Sequence, residues 1–388
     1  EKGRFHCLVN GEPFATVEDD GLPPGRVGLA KFRDTDAEFK LFRIGAARDG
    51  APADAAAPGR FEAAIDQLPP RERLTPAGLA ALVDDAEPAA TAARERATAL
   101  EKRAADLRLA AGDLRTARVC GELAGLCSQG ERCDLLKAAL LVAQLDDEEL
   151  DVDGYVQQVE RMAEEIKASL PKEADESARL AALNRYLFAD NGFHGSRTEY
   201  YHRANSHLSR VIDDREGLPI TLSILYMELA KWLDLNVVGV GLPGHFVVRH
   251  VPRQGDGQLI DVFEGAVPIS RDDAAARVRA VADVELEDEH LRPFSKEQIV
   301  RRVLRNLLGV AQEAKDREAT LRYLEALVAI RPDDAADRGL LSIVRFETGR
   351  RDAAIAALDW FLEQQPPGID LEAIRTMQDR FRNGVPPR

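Results

Sequence analysis

A histidine and an aspartate in the middle of the chain have the types and the order of two members of a catalytic triad. His245 opens the run "HFVVRH", and Asp261 lies in the next apolar run, "QLIDVF". An aspartate that holds a histidine fixes its tautomer, and the histidine can then activate a thiol or a hydroxyl. Thiol chemistry needs a cysteine as third member, but no cysteine follows Cys133. The sequence therefore supplies two of the three groups.

A helix and two strands are predicted to position these groups. Pro219 opens the run "PITLSILYMELAKWL", whose leucines recur at helical spacing, and proline suits the first helical position because its missing N–H is not needed there. The strands "NVVGVGL" and "HFVVRH" follow. Gly241 and Gly244 flank the dipeptide that joins them, which predicts a tight turn that presents His245 at the start of its strand.

A long segment around these residues resembles a known family. "LAALNRYLFADNGFHGSRTEYYHRANSHLSRVIDDREGLPITLSILYMELAKWLDLNVVGVGLPGHFVVRH", followed by "IDVFEG", is similar to the SirB-type proteins of the transglutaminase-like superfamily. The resemblance implies a cysteine-protease-like core with helices in front and tetratricopeptide repeats behind. It places Pro219 at the position of the catalytic cysteine, and His245 and Asp261 at the catalytic histidine and aspartate. The resemblance implies that this replacement of the catalytic cysteine by proline is typical of the SirB-type branch.

Two hypotheses follow for this site. Removing a triad nucleophile lowers the rate of a protease by about 10⁴- to 10⁶-fold, so thiol-dependent acyl transfer is not expected. In the first hypothesis, His245 and Asp261 either tie two strands together or remain as a polar cleft that binds a peptide or a small molecule. The alternative is a cysteine-independent hydrolase or acyltransferase, resembling an amidase or peptidase, that uses them with a substitute nucleophile. Candidate nucleophiles are Ser223, one turn beyond Pro219, or a cysteine from the preceding helices, Cys120, Cys127 or Cys133.

The predicted cleft includes residues on both sides of this helix start. Its members are Asn205, Ser206, Gly217, Pro219, Thr221, Ser223, Gly244, His245 and Asp261. The nearby run "FHGSRTEYYHRANSH" holds His194, His202 and His207 at irregular spacing. We interpret this run as a polar loop that closes over the site entrance and not as a metal site. No metal and no cofactor are expected.

Composition limits the classes of partner. The formal net charge of −15 argues against nucleic acid, because no large basic surface is available to neutralise phosphates. No stretch approaches the 18 or so apolar residues of a membrane span. The four cysteines lack the regular spacing of disulfide-rich secreted proteins, which favours reduced thiols and a cytoplasmic location.

The N-terminal segment, residues 1–46, alternates apolar and polar residues. Asn10-Gly11 lies between two such runs and predicts a hairpin. The segment resembles the last strands of concanavalin-like jelly-roll domains of the laminin-G type, and we interpret it as the end of a preceding domain whose beginning is missing. Residues 47–74 are rich in alanine, proline and glycine, which predicts a linker.

Helical patterns begin near residue 75. Leu100, Leu107 and Leu114 recur every seven residues, which predicts a helical hairpin packed on its neighbour, with a short coiled coil as the alternative. Near the C-terminus, residues 316–332 and 350–366 superpose at an offset of 34, the tetratricopeptide period. Leu324 then matches Leu358, and helices before and after would complete the array.

These observations predict a multidomain α+β protein. Its expected parts are residues 1–46 (β-rich), 47–74 (linker), 75–133 (helical), 134–290 (transglutaminase-like) and 291–388 (tetratricopeptide-like repeats). The expected function is a non-catalytic scaffold that binds a protein or peptide partner through the repeats and the vacant cleft. Neither a nucleic acid nor a membrane is an expected partner.

Overall fold

The computed structural model describes residues 4–9, 12–18 and 86–386. The chain forms two compact units, Glu1–Glu95 and Arg96–Arg388. In the first, strands β1 (Arg4–Val9) and β2 (Glu12–Glu18) pair antiparallel, so the predicted hairpin is confirmed. The Asn10-Gly11 pair, the rest of the β-rich segment and the predicted linker lie outside the described residues.

A single long helix, α1 (Ala86–Cys127), replaces the hairpin that we predicted from the leucine heptads. That prediction is wrong, because Leu100, Leu107 and Leu114 stay 46%, 37% and 74% exposed. Only the last turns of α1 join the core, where Val119 and Leu123 are fully buried. Alanines lie between these leucines, so the apolar stripe that the leucines form along α1, the heptad seam, is narrow. No residue in the described part of the chain covers it.

Five helices form the body that carries the site. They are α2 (Leu135–Gln144), α3 (Val152–Ala168), α4 (Glu176–Asn184), α5 (Leu208–Asp214) and α6 (Pro219–Trp232). Helices α2, α3 and α4 each begin after an aspartate whose carboxylate accepts a backbone N–H of the first turn. Helix α6 lies in the centre: every residue from Pro219 to Ala230 is buried. Its leucine face is buried as predicted, and so are its other faces.

The main sheet is a four-stranded antiparallel meander. Strands β5 (Val237–Val240), β6 (Val247–His250), β7 (Gln258–Asp261) and β8 (Val267–Ile269) pair in chain order, and helix α7 (Arg271–Ala282) follows. Two shorter strands, β3 (His194–Gly195) and β4 (Glu216–Gly217), pair parallel just before α6. The predicted strand at His245 begins two residues later, at Val247. His245 therefore lies in the turn and not in the ladder.

Helical repeats form the C-terminal part. They comprise α8 (Lys296–Glu313), α9 (Arg317–Ile330), α10 (Ala335–Glu347), α11 (Arg351–Gln364) and α12 (Leu371–Arg382). Helix α11 begins 34 residues after α9, as the sequence offset predicts. Leu324 and Leu358, the matched residues, are both fully buried. The repeat prediction is confirmed, and with it the predicted α+β class, which is mostly helical.

A buried polar cluster joins the central body to the repeats. The Asp146 carboxylate after α2 lies 3.0 Å from Nε2 of His207 and accepts a hydrogen bond from Arg322 at 2.6 Å. It also accepts one from the hydroxyl of Tyr323, and both partners lie on α9. Burial by itself raises the pKa of Asp146, but the contacts with His207, Tyr323 and Arg322 outweigh it and hold that pKa below its usual range. In the described part of the chain, no helix has both the length and the apolar content to cross a bilayer.

Candidate functional site

A cavity of about 450 Å³ lies between the central body and the first repeat helix. One wall is the start of α6, with Leu218, Pro219 and Ile220, and the turn before β6 adds Gly244 and His245. The opposite wall is one face of α8. The loop before α5 contributes Tyr200, Tyr201, His202 and Ser206. This volume lies within the range of small-molecule and peptide pockets.

His245 reaches the cavity because of the turn that precedes β6. Gly244 adopts a φ of 71°, which favours glycine, and the His245 N–H donates to the carbonyl oxygen of Leu242 at 3.1 Å. The ring packs edge-on against Phe263, with centroids 6.2 Å apart. The predicted turn thus places His245 in the cavity lining, two residues before β6 begins.

Asp261 lies behind His245 and is fully buried. Its Oδ2 is 3.0 Å from Nε2 of His245 and 3.2 Å from Nε of Arg277 on α7. Its Oδ1 accepts the N–H groups of Phe263 and Glu264 at 3.1 and 3.3 Å. The carboxylate thus has four donors, and Arg277 already balances its charge.

Hydrogen bonds of Thr221 hold the start of α6 in place, and the first helical position carries no nucleophilic side chain. Thr221 Oγ1 accepts the Leu218 N–H at 3.0 Å and donates to the carbonyl oxygen of Asn205 at 2.7 Å. Asn205 is itself buried, and its amide donates to Ser196 Oγ. Pro219 occupies the first helical position and lines the cavity with its ring.

Some predicted cleft residues lie close to the cavity without lining it. Gly217 packs so tightly that a Cβ there would come within 2.9 Å of Val211 and Thr221. Ser223 is fully buried, and its hydroxyl has no hydrogen-bond partner among the described residues. Asn205, Gly217, Thr221, Ser223 and Asp261 therefore form the support of the site, whereas Ser206, Pro219, Gly244 and His245 line it.

None of the candidate substitute nucleophiles lines the cavity that His245 lines. Cys120, Cys127 and Cys133 are buried free thiols, and none of them lines the cavity. Burial and the nearby Glu325 raise the pKa of Cys120 to about 12, which makes it unreactive at neutral pH.

The three histidines before α5 separate in space. His202 lines the cavity, His207 turns inward to Asp146, and His194 lies in β3. The described residues contain no group of three acidic, histidine or cysteine side chains that could hold a metal ion. The loop with Tyr200 and Tyr201 forms part of the cavity rim, in agreement with the predicted loop at the entrance.

Comparison with known proteins agrees with this architecture. A family model described as the transglutaminase-like superfamily matches residues 153–305, and a tetratricopeptide-repeat model matches residues 307–378. A UPF0162 protein of Xylella fastidiosa is 30% identical over 253 residues, which are 63% of this chain and 89% of that protein. The chain belongs to the UPF0162 protein family.

Other UPF0162 relatives include Protein SirB1 of Salmonella typhimurium, 27% identical over 250 residues (63% of this chain, 90% of that protein). UPF0162 protein YchA of Escherichia coli is 29% identical over 216 residues (55% and 78%). The predicted SirB-type resemblance is therefore confirmed. Neither family model reaches the N-terminal segment, so its resemblance to jelly-roll domains gains no support. No solved structure matches this chain.

Sequence reasoning missed two parts of the site. Arg277 lies in "SRDDAAARVRAVA", where nothing in the pattern marks one arginine as special. The α8 wall, with Arg302, Asn306 and Gly309, was assigned only to the repeats. The available signal was the spacing of these residues by three and four, which puts them on one face of the helix.

Proposed function

We propose that this UPF0162 protein is a non-catalytic binding protein in which the central body and the repeats together hold a segment of a partner protein. The observation that carries the proposal is Pro219, which lines the same cavity as His245 and stands at the position where the family resemblance puts a thiol. A proline ring has no nucleophilic atom. The cavity nevertheless keeps its volume and its polar lining, which supports binding without turnover.

The charge arrangement around Asp261 also supports this proposal. His245 is held by a carboxylate that Arg277 shares, so the pair is suited to fixing the shape of the cavity wall. The repeats are the third support, since tetratricopeptide units are stacked helices whose extended surfaces bind proteins. We propose residues 134–290 and 291–388 as the two parts that meet at the cavity, and a protein segment as its occupant.

The first experiment asks whether any catalysis depends on the site. The 388-residue wild type, His245→Ala and Ser206→Ala are assayed for hydrolysis of p-nitrophenyl acetate and for incorporation of monodansylcadaverine into casein. Ser206 is included because it is the aliphatic hydroxyl in the cavity lining. We expect all three proteins to give the same background rate. A rate that falls about tenfold or more in His245→Ala would establish the hydrolase or acyltransferase alternative instead.

The second experiment asks whether the cavity binds peptides. Random peptides displayed on phage are selected on the wild type and then tested on Asn306→Trp, which fills the cavity from α8. The matched control is Gln157→Trp, on the exposed face of α3. We expect selected peptides to bind the wild type and the control alike and to lose about tenfold or more in affinity for Asn306→Trp. The proposal fails if nothing is selected or if the filled variant binds equally well.

A further inference from the structure

The face of α8 that lines the cavity is polar. Its residues recur at intervals of three and four, and they are Arg302, Arg305, Asn306, Gly309, Val310 and Glu313. The other faces of the helix carry its apolar residues, such as Val303, Leu304 and Leu307, which are buried. The cavity wall is thus a mostly polar stripe beside the face of the helix that packs into the core.

Arg302 differs from the arginines beside it. Arg301 pairs with Asp334 at 2.6 Å, and Arg305 pairs with Asp337 at 2.6 Å. Arg302 is half-buried and has no ion pair among the described residues. Burial lowers the pKa of its guanidinium, so the folded protein holds this charge at a cost in solvation. An anionic group from another molecule would supply the missing partner.

The opposite wall also favours negative charge. The first turn of a helix has backbone N–H groups without partners inside the helix and carries partial positive charge. Leu218, which precedes α6, has no side-chain acceptor to cap them, and Pro219 and Ile220 of this turn line the cavity. Among the lining residues only Glu313, the exposed last residue of α8, is acidic. The interior of the cavity is therefore suited to an anion, although the chain as a whole is acidic.

Gly309 leaves room for a chain to approach α8. It lies inside the helix, is exposed, and a Cβ built on it would have no atom within 4 Å. No neighbour in the described part of the chain requires a glycine here. The cavity therefore extends down to the helix backbone about two turns beyond Arg302.

We propose that the cavity holds an extended protein segment whose carboxylate pairs with Arg302 while its backbone passes over Gly309. The carboxylate belongs either to an aspartate or glutamate side chain or to the C-terminus of the partner. This inference rests on the proposed binding function and adds the chemistry of the occupant.

The test uses three synthetic pools of acetylated random peptides of about eight residues, long enough to cross the cavity. The first pool has a fixed central glutamate and an amidated C-terminus. The second has no acidic residue but a free C-terminal carboxylate. The third has neither. The immobilised 388-residue protein captures the peptides, and mass spectrometry measures the captured amounts.

We expect the first or the second pool to be captured about tenfold more than the third, which identifies the source of the carboxylate. Arg302→Gln should reduce the captured amount of that pool to the captured amount of the third pool. Arg161→Gln, on the exposed side of α3, should leave the captured amount unchanged. Gly309→Leu should block all capture without lowering the melting temperature, since leucine favours a helix more than glycine does. Gly112→Leu, at another open glycine within a helix, is its matched control.

The outcomes separate this inference from the proposed function. The carboxylate inference is overturned if Arg302→Gln has no effect on capture. It is also overturned if all three pools are captured equally and Gly309→Leu still blocks that capture. Either result leaves the binding function standing. No capture of any pool, or capture that Gly309→Leu leaves unchanged, overturns both. A melting curve for each variant shows whether the protein is folded.

Discussion

Arg277 Nε lies 3.2 Å from Oδ2 of Asp261, the same oxygen that is 3.0 Å from Nε2 of His245. Two positively polarised groups from different elements therefore meet on one fully buried carboxylate. The arrangement links the turn before β6, the end of β7 and helix α7 through a single side chain. We infer that Asp261 holds this corner of the protein together and so fixes the imidazole at the cavity wall.

The first prediction concerns the stability contributed by Asp261. Asp261→Asn keeps the shape but removes the charge that balances Arg277, and breaking a buried ion pair costs about 3 kcal/mol. Urea unfolding at neutral pH should show this loss. Asp256→Asn, in the exposed loop before β7, should change the free energy of unfolding by about 0.5 kcal/mol or less. Equal effects of the two substitutions would contradict the role we give to Asp261.

The second prediction concerns the position of Pro219. Pro219→Cys places a thiol at the N-terminus of α6, where the partial positive charge stabilises a thiolate. Its alkylation by iodoacetamide, measured by intact mass above the wild-type background, should have a midpoint about one pH unit or more below that of an ordinary surface thiol. Gln157→Cys, exposed on α3, provides that reference. A thiol at 219 that reacts no faster than the reference at neutral pH would show that the position is not an activated one.

The sequence was sufficient for features that depend on local pattern. Pro219 at the first helical position, Gly244 in the turn and the 34-residue offset of the repeats each follow from the conformational preferences of a few neighbouring residues. The family resemblance then predicted that His245 and Asp261 form a pair, because the two long motifs that contain them match the family in the right order.

Features that depend on long-range packing could not be predicted. Arg277 meets Asp261 only because α7 folds back on the sheet, and α8 faces α6 only because the repeats dock on the central body. The leucine heptads misled for a related reason: an apolar seam indicates that a helix can pack, but not whether a neighbour in the same chain reaches it. In the described structure, Leu100 and Leu114 remain exposed.

The third prediction is a dependence of stability on pH from Asp146. The pKa of this carboxyl is lower in the folded protein than its ordinary 3.8, so its stabilising contribution is complete above about pH 4 and is lost as the pH falls through the folded pKa. Asp146→Asn should cost about 3 kcal/mol at pH 7, because His207, Arg322 and Tyr323 lose a buried charged partner.

The measurement is the difference in the free energy of unfolding between wild type and Asp146→Asn at several pH values. This difference should shrink as the pH falls below about 4. Asp333→Asn, at an exposed carboxylate, controls for the general effect of removing a charge. A difference that stays constant down to pH 3 would mean that the cluster does not depress the pKa of Asp146.

The fourth prediction compares two leucines of opposite environment. Leu324, on the inner face of α9, is fully buried, and Leu324→Ala should cost about 2 to 5 kcal/mol because it removes packed atoms and leaves a cavity. Leu114, on the heptad seam of α1, is 74% exposed, and Leu114→Ala should change the free energy of unfolding by about 0.5 kcal/mol or less. Chemical denaturation at two protein concentrations checks both values. A large loss for Leu114→Ala that grows with protein concentration would show that the seam is covered by a second chain, which is the coiled-coil alternative that the heptads also allow.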